Sequence, residues 1–104
     1  MEISYNALKL NPDDNVAVAL QRIGKSEAVL INNSEIELVA LEEIPYGHKI
    51  ALRTIIENDD ITKYGECMGK ATKEIPAGSH VHVHNVRGLN EMERAVVINH
   101  VMEP

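Results

Sequence analysis

Short segments in which apolar and polar residues alternate occupy most of the first 88 residues of the chain. Ile36, Leu38 and Ala40 are separated by single residues, and Ile50 and Leu52 repeat the pattern further on. This period of two predicts half-buried strands. Further short strands are predicted over 3–10, 28–31, 61–65, 68–72 and 81–83. The pattern therefore predicts a mainly β fold built from short strands.

One segment has the spacing of a helix. Apolar residues between 16 and 23 recur every three or four positions. Asp13 or Asp14 can cap the first turn, because short acidic side chains accept hydrogen bonds from free backbone N–H groups. Gly24 is a typical helix stop. We therefore predict one small helix over 14–23.

The last segment, 89–104, fits two structures. Met92, Ala95, Val96 and Asn99 lie on one helical stripe, but 95–98 is also an apolar run rich in β-branched residues. Both a helix and an added strand remain open. We divide the chain into a β domain, 1–88, and a carboxyl-terminal extension, 89–104.

A turn-and-strand unit occurs twice, 31 residues apart. Residues 43–52 and 74–83 share Glu, Ile, Pro and Gly at matching positions and the two apolar positions that follow. Pro and Gly in this arrangement are typical of a tight turn. Two copies are too few for a solenoid, so the repeat indicates approximate internal symmetry within one compact β domain.

Length and charge restrict the function. At 104 residues the chain forms one domain with little room for a deep pocket, so we expect its chemistry to be shared with a partner. The net charge of −6 argues against nucleic acid or an anionic membrane as partner. The lone Cys67 offers no disulfide framework or paired-cysteine metal motif. The start of the chain has no signal-peptide pattern, which favours the cytoplasm.

Histidines provide the strongest candidate chemistry. His80, His82 and His84 alternate with Val81 and Val83. On a strand the histidines would share one face and the valines the opposite, buried face. Imidazoles about 6.6 Å apart along a strand can converge on one metal ion or act as acid and base. A solvated or packing role for the histidines is the alternative.

Three other groups carry weaker indications. His48, Lys49 and Arg53 follow the first Pro-Gly turn and would suit a carboxylate substrate, or they form a solvated basic strand. Lys63-Tyr64 can serve as base and acid if their pKa values are tuned. The acidic residues of 13–15 could bind a cation, but a capping role already accounts for them.

Four blocks of the sequence resemble the amino-terminal domain of the altronate and galactarate dehydratase family, in the same order. They are 11–19 (NPDDNVAVA), 44–52 (IPYGHKIAL), 63–65 with 69–72 (KYG, GKAT) and 81–85 (VHVHN). The resemblance spans most of the chain. It departs at Cys67-Met68, where a more regular apolar pair is expected, and residues 89–104 lie beyond it.

The resemblance implies a SAF-type β-clip fold and the separate small subunit of a sugar-acid hydro-lyase. Family enzymes convert a hexonate or hexarate to a 2-keto-3-deoxy acid with a divalent metal, typically iron, with manganese as the alternative. We expect a large catalytic subunit as partner, which can hold most of the metal, and no activity of this chain alone. Self-association is left open. The alternatives are a sulfolactate sulfo-lyase small subunit and a non-catalytic module for carbohydrate binding or assembly.

The chemistry implied by the family assigns roles to the candidate residues. Removing a proton next to a carboxylate and expelling hydroxide requires a base, an acid or metal, and cations for the carboxylate. We assign acid/base or metal-ligand roles to His82 and His84. We assign substrate binding to His48, Lys49, Arg53 and Asn85.

Overall fold

A computed structural model of the protein describes residues 5–102, with side chains up to Val96. The chain forms nine strands and one helix within this range. They are β1 (Ala7–Leu8), β2 (Val16–Ala19), β3 (Ala28–Val29), β4 (Leu38–Val39), β5 (Lys49–Ala51), β6 (Asp60–Lys63), β7 (Glu66–Ala71), β8 (His80–Val81), β9 (Val86–Arg87) and α1 (Glu91–Met102). The predicted mainly β fold is confirmed. Among the described residues no helix is long and apolar enough to cross a membrane.

The strands form three antiparallel sheets. The central sheet has the order β1-β2-β5-β8, a second sheet pairs β3 with β4, and a third has the order β6-β7-β9. The β3–β4 and β6–β7 pairs are each consecutive along the chain and fold back on themselves. The four-stranded central sheet is therefore the largest, and the two smaller sheets add to it.

The prediction of a helix over 14–23 is wrong. Val16–Ala19 is an inner strand of the central sheet, paired with β1 on one side and β5 on the other. Val16, Ala17 and Ala19 are all at most 1% exposed, so both faces of this strand are covered. A strand covered on both faces lacks the alternation of a half-buried strand, and its apolar run can be mistaken for helical spacing.

The two Ile-Pro-x-Gly turns adopt the same structure, as the repeat predicts. In the turns over 44–47 and 75–78, the proline carbonyl accepts a hydrogen bond from the residue three positions later, at 3.1 Å in both. Gly47 and Gly78 have φ values of 80° and 90°. Only glycine adopts these values without strain, so glycine is required at the same place in both turns.

The structural repeat extends well beyond the turns. Ile23 bridges to Ile44 in the first half, and Ile55 bridges to Ile75 in the second. Each half encloses its own core of aliphatic residues. The first contains Ile23, Val29, Ala40, Ile44 and Ile50, and the second contains Ile55, Ile61, Ala71, Ile75 and Val81, among others. The domain thus consists of two similar halves joined through the central sheet.

Segment 89–104 forms a helix instead of a strand as far as it is described. Asn90 caps α1: its side chain accepts from the N–H of Glu93 at 2.8 Å, and Glu93 in return accepts from the N–H of Asn90 at 3.0 Å. Arg87 donates two hydrogen bonds to Glu93, at 2.8 and 2.9 Å, and lowers the pKa of that carboxyl to about 2. This half-buried pair fixes the start of the helix to β9.

Candidate histidine site

The pairing of β5 with β8 brings three histidines together at the edge of the central sheet. The antiparallel register sets Ile50 opposite His80. His48 lies just before β5 and His82 just after β8. If the same register is continued by two residues, these two histidines are opposite each other. Positions two apart on a strand share a face. The register therefore collects His48, His80 and His82, named here the histidine cluster.

The rings of the cluster are stacked at short distances. The centroids of His48 and His82 lie 4.1 Å apart, those of His48 and His80 5.0 Å, and those of His80 and His82 5.4 Å. His48 Nδ1 and His80 Nε2 are 2.8 Å apart, so one of these nitrogens donates a hydrogen bond to the other. Such a bond requires at least one acceptor nitrogen, and hence at least one neutral ring.

The electrostatics of the site also favour neutral imidazoles. The pKa of His80 lies below its ordinary value of 6.5. Partial burial is the largest cause, and the nearby His48 and His84 lower the pKa further. The pKa of His82 is also lowered, mainly by partial burial and further by His48 and Lys49. Neutral imidazole has a free lone pair, which a proton acceptor and a metal ligand both need.

His84 lies beside the cluster. Its ring centroid is 5.2 Å from that of His80, and it forms a separate group with His80 and Glu42. His82 and His84, which were predicted as possible metal ligands, therefore belong to different three-residue groups, and His80 is common to both. His80 was predicted to share a face with His82 and His84 but was assigned no role of its own, and Glu42 was not predicted. The register between β5 and β8, which brings His48 to His80, could not be read from alternation alone.

The prediction of a regular strand through Val83 is also wrong. After Val81 the chain turns, and Val83 is 81% exposed, whereas Val81 is fully buried. Asn85 causes the turn: its side chain accepts from the N–H of His82 at 2.9 Å and donates to the carbonyl of His80 at 2.8 Å. Asn85, a predicted substrate ligand, is only 3% exposed, and both ends of its side-chain amide are bonded to the backbone of this loop.

The predicted cationic residues do not converge with His48. Lys49 lies opposite Val81 and is adjacent along β5 to a residue on the cluster's face, so it faces the other side of the sheet. Burial and nearby Lys63 lower its pKa. Arg53 is exposed beyond the far end of β5, where it lines an open groove. The predicted carboxylate clamp is therefore not formed within this chain as the structure describes it.

The Lys63-Tyr64-Gly65 segment is a tight hairpin turn held by Asp14. The Asp14 carboxylate accepts from the N–H groups of Tyr64 at 2.9 Å and Gly65 at 2.8 Å, and from Asn11 at 3.1 Å. Asp14 is 6% exposed. It therefore caps a hairpin instead of the predicted helix. Tyr64 adopts a φ of 61° at the exposed tip.

The histidine cluster suits a divalent metal ion. One ring nitrogen from each histidine lies within 4.8 Å of the other two. Donors bound at about 2.1 Å to one ion lie at most roughly 4.2 Å apart, so small ring rotations would complete a three-nitrogen site. Imidazole suits iron, cobalt, nickel, copper and zinc. The same rings can transfer protons when no ion is bound.

Comparison with known proteins identifies the family. The altronate/galactarate dehydratase SAF domain matches residues 5–89. The chain belongs to this family. The SAF domain is 44% identical to the altronate dehydratase of Bacillus subtilis and 39% identical to that of Escherichia coli, over 80 residues in each case. These regions are 77% of this chain but only 16% of each relative.

The SAF domain is also similar to a much smaller protein. It is 41% identical over 59 residues to the (2R)-sulfolactate sulfo-lyase subunit alpha of Paracoccus pantotrophus, which is 57% of this chain and 88% of that subunit. The chain is therefore a member of a family of lyases. It corresponds to a small portion of the altronate dehydratases and to most of the sulfo-lyase subunit.

Proposed function

We propose that this chain is the small subunit of a sugar-acid hydro-lyase and that the histidine cluster is its contribution to the active site. The observation that carries the proposal is the stacking of three imidazoles, two with lowered pKa values, in a dehydratase-family domain. Histidine is the side chain best suited to both proton transfer and metal binding near neutral pH. The reaction is the loss of water from a hexonate or hexarate.

The roles of the individual histidines follow from their positions. His48, His80 and His82 would hold a divalent cation, iron or manganese. Such an ion supplies positive charge for the substrate carboxylate and the leaving hydroxide. His84 is exposed beside the cluster and can exchange a proton with a bound substrate. The Asn85 side chain holds the backbone of His80 and His82 in place through its two hydrogen bonds.

The rest of the active site would come from a large catalytic chain. Lys49 faces the opposite side of the sheet from His48, and Arg53 lies beyond the far end of β5, so the carboxylate needs cations from elsewhere. The altronate dehydratases extend far beyond the matched region. An open groove of about 920 Å³ lined in part by the exposed side chains of Leu30, Ile36 and Val39 offers apolar surface for that chain. The large dehydratase chain is thus the proposed partner.

A second substrate class has its own support. A relative of which this chain covers 88% is named as a subunit of a sulfolactate sulfo-lyase. Elimination of sulfite from a sulfonate needs the same proton abstraction next to a carboxylate as elimination of water. Sulfolactate is therefore the alternative substrate. A carbohydrate-binding or assembly role without catalysis is the remaining alternative.

The test is reconstitution with the large chain. We expect turnover of altronate, galactarate or sulfolactate with Fe²⁺ or Mn²⁺ only when both chains are present. His82→Ala and His84→Ala should each reduce the rate by roughly 10²-fold or more, the scale of losing an acid/base group. Val83→Ala, an exposed change in the same loop, is the matched control and should leave the rate unchanged.

Two results would contradict the proposal. Full activity of the isolated chain would exclude a subunit role. Normal turnover by folded His82→Ala and His84→Ala proteins, checked by circular dichroism, would show that the histidines do not take part and would favour the assembly role.

A further inference from the structure

A second group of metal-binding side chains lies next to the histidine cluster. Glu42, His80 and His84 each offer one ligand atom, and these atoms lie within 4.8 Å of one another. Glu42 and His84 are exposed and His80 is half-buried. None of the roles proposed above requires Glu42. Its position therefore needs a separate explanation.

The backbone fixes Glu42 beside His80. The N–H of Leu41 donates to the carbonyl of Gly78 at 2.9 Å, which ties the segment after β4 to the segment before β8. The N–H of His80 donates to the Glu42 carboxylate at 3.2 Å. Only one carboxylate oxygen is used in this bond, so the other is available to a cation. The carboxylate is thus held where His84 also converges.

His80 connects the two groups. Its Nε2 lies 2.8 Å from His48 Nδ1 and so faces the histidine cluster. Its backbone N–H donates to the Glu42 carboxylate, and the group with Glu42 and His84 also uses one of its ring nitrogens. A neutral imidazole carries a proton on one nitrogen and can offer a lone pair only from the other. His80 can therefore serve one group or the other, but not both at once.

We propose that Glu42, His80 and His84 form a second position for a divalent cation, occupied in alternation with the histidine cluster. Both positions need the single lone pair of a neutral His80, so only one of them can be occupied at a time. The inference rests on the cation site proposed for the histidine cluster, but it does not depend on dehydration. It therefore goes beyond the proposed function.

The donor set defines the class of cation. Two imidazoles and one carboxylate suit iron, manganese, cobalt and zinc, whereas calcium and magnesium prefer sites made entirely of oxygen. Three protein ligands leave open positions on the ion. A carboxylate is a harder ligand than imidazole, so the second position should favour manganese more than the all-nitrogen cluster does.

Titration of the full chain with Co²⁺, without substrate or large chain, tests the proposal. Calorimetry and visible absorption should show one ion per wild-type chain. His48→Gln/His82→Gln should still bind one ion, now held by Glu42, His80 and His84. Adding Glu42→Gln to this pair should weaken binding by at least roughly 10²-fold, because loss of a direct ligand exceeds the 10–100-fold cost of losing an outer partner. His80→Gln should weaken both positions.

The control is the neighbouring acid. Glu43 is exposed and paired with Arg22 at 2.7 Å, so adding Glu43→Gln to the His48→Gln/His82→Gln pair should leave Co²⁺ binding unchanged. Loss of all binding in the folded double variant would overturn the second position. Two ions on the wild-type chain would overturn the alternation. Either result can occur while the dehydratase activity of the reconstituted enzyme persists, so failure of this inference is distinguishable from failure of the proposed function.

Discussion

Replacement of Asp14 by Ala should destabilise the domain more than any nearby surface change. Its carboxylate accepts from Tyr64 and Gly65 at 2.9 and 2.8 Å and from Asn11 at 3.1 Å. A hydrogen bond to a charged group contributes roughly 1.5–3 kcal/mol. The two hairpin bonds therefore set an upper range of about 3–6 kcal/mol.

Solvent reduces this range. Tyr64 and Gly65 are exposed, so water can replace part of the lost bonding at the hairpin tip. A φ of 61° costs a non-glycine residue such as Tyr64 on the order of 1–3 kcal/mol. Loss of the Asp14 carboxylate removes the contact that holds this conformation, and the strain released offsets part of the destabilisation. We expect the free energy of unfolding to fall by about 2–4 kcal/mol.

Urea denaturation followed by circular dichroism measures the change. With a slope of about 1–3 kcal/mol per molar urea, the midpoint should move by roughly 0.7–4 M. Asp13→Ala is the matched control, because Asp13 is exposed and its carboxylate accepts no hydrogen bond from the described residues. Its effect should stay within about 0.5 kcal/mol. Equal midpoints for the two variants would refute the assignment of Asp14 as the residue that holds the hairpin.

Two further predictions concern the histidine cluster and the turn after Val81. Because burial and neighbouring imidazoles lower the pKa values of His80 and His82 below 6.5, the unfolded chain binds more protons than the folded chain as the pH falls through that value. Metal-free protein should therefore be less stable to urea near pH 5.5 than near pH 7.5, and a His80→Gln/His82→Gln variant should show a smaller loss; an equal loss would contradict the reasoning. Asn85→Ala should cost about 1–3 kcal/mol and weaken Co²⁺ binding by removing the bonds to His80 and His82, whereas Val83→Ala should change neither quantity.

The features that could be predicted from the sequence are those set by local chemistry. The Ile-Pro-x-Gly turns at 44–47 and 75–78 were predicted because Pro and Gly restrict the backbone wherever they occur. The strand around Ile50 was predicted from alternation, although Ile50 and Ala51 on its two faces are both buried. The misassigned helix over 14–23 shows the limit: Val16–Ala19 is buried on both faces and pairs with β1 and β5 within the sheet, and tertiary contacts outweigh a local spacing pattern.

The composition of the site depended on contacts between distant residues. The convergence of His48 with His82 follows from the register of β5 against β8, which the positions of the histidines alone do not determine. The turn after Val81 follows from Asn85, whose side chain bonds the backbone of residues three and five positions earlier. The strand register and the turn therefore put the histidine side chains in positions that an isolated extended strand would not give them.

The internal repeat explains why the histidines meet at this edge. Both copies begin with the same turn and continue into a strand, and these two strands, β5 and β8, are neighbours in the central sheet. The first copy continues through buried Ala51, whereas the second leaves the sheet after Val81 and exposes His84. A duplicated unit thus supplies a rigid pair of strands, and the difference between its copies supplies the reactive loop. This division lets the cores of both halves remain similar while the chemistry is confined to one exposed edge, where a large partner chain can reach it.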